Sequence, residues 1–245
     1  MKIGILGTGT VGRTLATAWA HAGHAVVLGS RRPDEAVARA DLSAAIAAGV
    51  GVTDPAAAVT DADVVVNATP GTVSVSALAA AGAAALEGKV LLDVGVGFDE
   101  EGGLSHPGRS LGEEIQRAFP GTRVVKSLVT VDRELMVAPD SLAGPSTLFL
   151  SGEDADAKHT VTGLLTDLGW PKDSLLDLGA SPRRADRNTT RCCSWASPRP
   201  SAPTASGSGW CRRPVPEGPR GRFRAPGACA AVCRSRDRRV PRCAP

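Results

Sequence analysis

The residues of this 245-residue chain best placed to do chemistry are three glycines, spaced G-x-G-x-x-G in Gly7-Thr8-Gly9-Thr10-Val11-Gly12. They follow a short β-branched apolar run, Lys2–Leu6, and precede the helically spaced Val11, Leu15, Ala18, Trp19 and Ala22. In that setting each glycine has its own task. Gly7 permits a tight turn, Gly9 lets backbone approach a pyrophosphate, and Gly12 lets helix pack on strand. The helix start adds unpaired N–H groups and the positive end of its dipole. The implied chemistry is the holding of a dinucleotide. A glycine turn that binds nothing is the competing reading, and the strand–turn–helix context weighs against it.

The second strand, Ala25–Leu28, leads into Gly29-Ser30-Arg31-Arg32, with no acid before Asp34. An acid there would bond the ribose 2′-hydroxyl of NAD. A hydroxyl and two guanidiniums suit a 2′-phosphate instead, because arginine offers phosphate two N–H groups at once. NADP is therefore expected over NAD. Ala68-Thr69-Pro70 follows Asn67 at the carboxyl end of the fourth strand, where open α/β sheets hold ligands, and is expected near the nicotinamide half. The residues alone leave open that Pro70-Gly71 is only a turn. The expected cofactor-binding set is thus Gly7, Thr8, Gly9, Thr10, Val11, Gly12, Ser30, Arg31, Arg32, Ala68, Thr69 and Pro70. No catalytic side chain and no metal ligand is expected. His21, His24, His106 and His159 read as surface or capping residues.

These residues must be positioned by alternating strands and helices. Helices are expected over Val11–Ala22, with Gly23 as C-cap, over Asp34–Ala48, briefly after Asp54-Pro55, and over Val73–Leu86. Strands are expected at Gly51–Val52, Asp63–Ala68 and Lys89–Asp93. Beyond a glycine-rich loop at 95–108 come a helix Leu111–Phe119, strands Arg123–Ser127 and Thr147–Leu150, and a helix Ala155–Leu168. The fold class is α/β, a Rossmann-type doubly wound parallel sheet covered on both faces.

The pattern stops near Gly179, and composition changes with it. Residues 1–180 carry 13 Lys plus Arg and 22 Asp plus Glu, a net of −9; residues 181–245 carry 15 Arg, no Lys and 3 acids, a net of +12. All 6 cysteines and 10 of the 18 prolines lie in that last part. Its cysteines form no C-x-x-C pair, which argues against a metal module. One Phe, no Lys and no helical pattern argue against a nucleic-acid arm. The apolar opening is interrupted at Gly7, too early for a signal peptide, and no run approaches ~20 apolar residues. A cytoplasmic protein with small-molecule partners, and with neither membrane nor nucleic acid, is expected.

The stretches MKIGILGTGTVG, VVLGSR, ADVVVNATPG, GKVLLDV, SLGEEIQRAFPGTRVVKSL and SGEDADAKHTVTGLLTDLGW resemble the NADPH-dependent coenzyme F-420 reductases, also called F-420-dependent NADP oxidoreductases, over residues 1–179. The resemblance implies hydride transfer between NADPH and the deazaflavin F-420, or a flavin, by a homodimer. Two departures stand out. After the fifth strand the family reads D-x-x-N-P-L, but here Asp93-Val94-Gly95-Val96-Gly97-Phe98; after the sixth it reads K-x-x-N-T, but here Lys126-Ser127-Leu128-Val129-Thr130. Val96 and Val129 replace asparagines that the resemblance turns toward the cofactors. An NADP-binding redox sensor without turnover, or a reductase of another small substrate such as an imine, are the alternatives.

The family also ends on T-A-R-G-x-E-x-Y and an apolar helix. Read one base out of frame, codons for Cys192, Cys193, Ser194 and Trp195 place T in the middle position, which encodes apolar residues. With suitable synonymous codons the shifted frame yields such an ending. The Arg/Pro/Cys-rich segment 180–245 is therefore expected to be a frame-shifted, unfolded tail. Loss of the helix would make the dimer doubtful and could leave the chain inactive.

Overall fold

A computed structural model describes residues 1–98, 101, 103–105 and 110–180. The expectations for His106 and for 181–245, the disordered tail included, lie outside the described residues.

Among the described residues eight strands form one sheet: β1 Lys2–Leu6, β2 Ala25–Gly29, β3 Gly51–Thr53, β4 Val64–Asn67, β5 Val90–Asp93, β6 Arg123–Ser127, β7 Leu148–Gly152 and β8 Leu175–Asp177. Their order is β3-β2-β1-β4-β5-β6-β7-β8. The six strands from β3 to β6 are parallel, as the alternation of strands and helices demands. The expected Rossmann-type doubly wound parallel sheet is found, with one antiparallel pairing at its β6–β7 side. Strand β7 pairs antiparallel with β6, and β8 runs parallel to β7. Between β6 and β7 the chain forms α7, Arg133–Val137, which packs on α1, Thr10–His21, and makes no crossover of its own. Strand direction after such a connection has no local sequence signal.

Helices α4 Pro55–Thr60, α5 Ser74–Gly82, α6 Leu111–Ala118 and α8 Ala155–Asp167 complete the layers with α1. The β4 run Val64, Val65, Val66 shows why a central parallel strand reads as continuous apolar residues. Val64 and Val66 enter one core with Ile3, Ile5, Leu15 and Trp19, whereas Val65 enters the other with Leu6, Leu91 and Ile115. Trp19 is fully buried and donates its indole N–H to the Leu164 carbonyl at 3.0 Å, joining α1 to α8.

The single helix expected over Asp34–Ala48 is corrected. It is broken into α2 Pro33–Val37, a 3-10 turn Ala40–Leu42 and α3 Ser43–Ala47, with Arg39 extended at φ −73°, ψ 128°. The alanine-rich composition favours helix, but tertiary packing overrides propensity here. The break puts Leu42 fully into the core and turns the Arg39 side chain toward the glycine turn.

Candidate functional site

Gly7, Thr8, Gly9, Thr10, Val11, Ser30, Arg31, Arg32, Ala68, Thr69 and Pro70 line one cleft of about 1500 Å³ at the carboxyl ends of the parallel strands. It opens where strand order reverses between β1 and β4, the usual ligand position in such sheets. Gly12 is not in its wall. A Cβ there would lie 2.0 Å from the Gly7 carbonyl oxygen, so Gly12 serves helix–turn packing. Gly7 adopts φ +118°, and its Cβ would meet the Ala68 carbonyl at 2.6 Å. Gly9 differs: a Cβ would meet nothing within 4 Å. No protein contact demands glycine there, so the demand falls on whatever fills the cleft. Gly9 is also the N-cap of α1, where no side chain caps the first-turn N–H groups. Such groups suit an anion.

At the β2 end, the Ser30 hydroxyl accepts the Arg32 N–H at 3.1 Å, which folds the loop. The two arginines are not equivalent. Both line the cleft, but Arg32 pairs with Glu35 at 3.1 Å, whereas Arg31 hydrogen-bonds no described residue. Arg39, which sequence reasoning missed, also lines the cleft and bonds both Thr8 and Asp41. The hydrogen bond from Arg39 holds the Asp41 carboxyl below its ordinary range, helped by the charges of Arg39 and Arg13. No short-range pattern announces Arg39; only the break in the helix delivers it.

Beneath the nicotinamide end expected from sequence lies a second feature that sequence reasoning missed. Asn67 and Asp93 close β4 and β5 and are fully buried. The Asn67 amide N–H group donates to Asp93 Oδ1 at 2.8 Å and to the Ser74 hydroxyl at 2.9 Å. The Asn67 side-chain Oδ1 accepts the Thr69 hydroxyl at 2.6 Å, and Asp93 Oδ1 accepts the Gly95 N–H at 3.0 Å. Lys126 on β6 donates to Asp93 Oδ2 at 2.7 Å and to the Gly95 carbonyl at 2.8 Å. This network ties three strand ends together and satisfies its own polar groups. Gly71 lies so close to Gly97 that a Cβ would sit 2.3 Å from the Gly97 nitrogen, and its N–H donates to the Val96 carbonyl. Pro70-Gly71 is thus a turn packed onto the next loop, and Pro70 still faces the cleft. The signal available in sequence was a polar residue ending each of two apolar strands.

The far wall is apolar: Val94, Val96, Val129, Val131 and Met136. Leu128 stands at φ +64°, a left-handed conformation that costs a non-glycine residue roughly 1–2 kcal/mol. Burial of its side chain offsets that cost and turns Val129 and Thr130 into the cleft. No histidine among the described residues lines the cleft. His24 instead joins Asp167 at 3.0 Å at the far end of α1. Among the described residues no metal-binding cluster occurs, and no helix is long and apolar enough to cross a membrane.

Comparison with known proteins agrees with this geometry. Residues 2–97 match the family model "NADP oxidoreductase coenzyme F420-dependent". A crystal structure of a candidate F420-dependent NADP reductase from Arthrobacter sp. FB24 is 42% identical, with TM-score 0.70, over 79% of this chain and 89% of that one. The metalloreductase STEAP3 of Rattus norvegicus is 32% identical over 80% of this chain, which spans 38% of that relative's length. An imine reductase of Streptomyces aurantiacus shares the fold, with 18% identity and TM-score 0.54, over 74% of this chain and 56% of that one.

Proposed function

This chain belongs to the coenzyme F-420-dependent NADP oxidoreductase family, and on that premise we propose that it transfers a hydride between NADPH and coenzyme F-420 or a flavin. The observation that carries the reading is the uncapped, glycine-lined mouth of α1 facing the same cleft as Arg31, which hydrogen-bonds no described residue. One region suits a pyrophosphate and the other a 2′-phosphate. In this reading Gly7, Thr8, Gly9, Thr10 and Val11 hold the pyrophosphate, with Gly12 supporting the turn from behind. Ser30, Arg31 and Arg32 select the 2′-phosphate, and Ala68, Thr69 and Pro70 border the nicotinamide.

The bound dinucleotide supplies the hydride, so the chain contributes position and exclusion of water. The Asn67–Asp93–Lys126 network fixes the floor of the nicotinamide end, because each of its members is held by at least two bonds. The valine wall stacks against a planar second ring and keeps water out. The acceptor ring takes the hydride at one atom and a proton from solvent at a ring nitrogen, so the chain's own task is to hold the two rings in position.

The test is to mix the full chain with NADPH and F-420, and separately with a flavin, and follow NADPH absorbance. Consumption that depends on the second cofactor supports the proposal. NADPH binding without consumption by either acceptor would instead favour a redox-sensing module.

A further inference from the structure

We propose that Arg39, with Asp41 and Arg13, forms a positioning clasp that holds the glycine turn in its pyrophosphate-receptive shape. The inference rests on the dinucleotide reading above and goes beyond the residues already assigned to it.

Arg39 donates from Nε to Asp41 Oδ1 at 3.0 Å and from Nη2 to Asp41 Oδ2 at 2.7 Å. Its Nη1 reaches the Thr8 hydroxyl at 3.0 Å, and Nη2 also reaches the Thr8 carbonyl at 3.4 Å. Those contacts occupy four of the five N–H groups of a guanidinium, which leaves little for a ligand. Asp41 in turn accepts Arg13 Nη1 at 2.6 Å, and Arg13 Nη2 donates to the Thr10 hydroxyl at 3.2 Å. The cluster therefore grips Thr8 and Thr10, the two residues flanking Gly9. Between them Gly9 faces the cleft with open space where a Cβ would stand.

The members come from α1 and from the break between α2 and α3, so the clasp links the glycine turn to the β2–β3 connection that also carries Ser30 and Arg31. Its side chains are 26–42% exposed, and exposed ion pairs add little to stability. Their geometry instead restrains a loop. A bidentate fork resists rotation in a way that a single lysine contact does not. With the turn pre-shaped, less ordering has to accompany dinucleotide binding. The pyrophosphate half, common to both nicotinamide dinucleotides, is what the clasp favours. The 2′-phosphate belongs to Arg31.

The full chain is titrated with NADPH, NADH, ADP and 2′-AMP, the last two separating pyrophosphate from 2′-phosphate. Arg39→Ala is expected to weaken NADPH, NADH and ADP by a common factor of about ten, leaving 2′-AMP affinity and the thermal midpoint unchanged. Arg39→Lys is expected to fall between the two. Asp41→Asn should reproduce the same pattern in smaller degree, and it provides a second route if Arg39→Ala folds poorly. Arg31→Ala should do the opposite, weakening NADPH and 2′-AMP while sparing NADH and ADP. A loss in Arg39→Ala confined to NADPH and 2′-AMP would overturn the inference by making Arg39 a 2′-phosphate contact. Unaltered affinities in Arg39→Ala would overturn it alone, whereas a wild-type chain that binds neither dinucleotide overturns the cofactor reading and the clasp with it.

Discussion

Replacing Arg31 and Arg32 one at a time should show that they contribute unequally to the choice of NADPH over NADH. Arg31 enters the cleft without a described protein partner, so its bonds to a phosphate displace no existing ion pair. Hydrogen bonds to charged groups contribute ~1.5–3 kcal/mol, which is roughly 10- to 150-fold in affinity. Arg32 must first release Glu35, 3.1 Å away, and both side chains are largely exposed, at 75% and 68%. Such an exposed pair holds ~0–1 kcal/mol, so Arg32 has up to about fivefold less to offer. Arg31→Ala should therefore cut NADPH affinity at least tenfold, Arg32→Ala less, and neither should alter NADH. Glu35→Gln should raise NADPH affinity severalfold by freeing Arg32. Intrinsic-fluorescence titrations at one fixed salt concentration measure all of these, since salt screens exposed charges. Equal affinity of the wild-type chain for NADPH and NADH would refute the assignment of this loop. An Arg32→Ala loss larger than that of Arg31→Ala would refute the pairing argument.

Gly9→Val should abolish dinucleotide binding while leaving the melting temperature unchanged, because a Cβ there has no protein atom within 4 Å and the branched side chain would enter the cleft. Gly12→Ala should instead lower stability by ~1–3 kcal/mol in urea unfolding, because its Cβ meets the Gly7 carbonyl. Lys126→Met should cost ~3–5 kcal/mol in the same assay by leaving the buried Asp93 carboxylate without its cation; a cost below 1 kcal/mol would mean that the pair does not hold the floor of the site. Asp41 is held below its ordinary value, so the clasp is fully formed above that value and is lost only as pH falls through the depressed folded one. Its signature in the NADPH titrations should therefore persist into mildly acidic buffer. Reading the gene around codons 175–185 should reveal one base missing, and a shifted frame that meets a stop before the apolar run would dismiss the frame-shift proposal.

Much of this protein was legible before folding, because strand-by-strand burial imprints local patterns. Lys2–Leu6 and Arg123–Ser127 are found with the bounds expected: the first is apolar from Ile3 until Gly7 ends it, and the second is built on the buried, β-branched pair Val124 and Val125. The glycine turn was legible because its three glycines fall within six positions, although the Ala68 backbone that Gly7 meets comes from the end of β4. What only the tertiary structure decided is long-range. The antiparallel entry of β7 depends on where α7 lodges, against α1, and no residue of β7 encodes its direction. The helix expected over Asp34–Ala48 yields at Arg39 because the gain from burying Leu42 exceeds the small propensity difference per residue. Likewise Asn67, Asp93 and Lys126 lie on three strands, and their shared purpose exists only once β4, β5 and β6 are side by side in register, with Asn67 opposite Asp93 and Asp93 opposite Lys126.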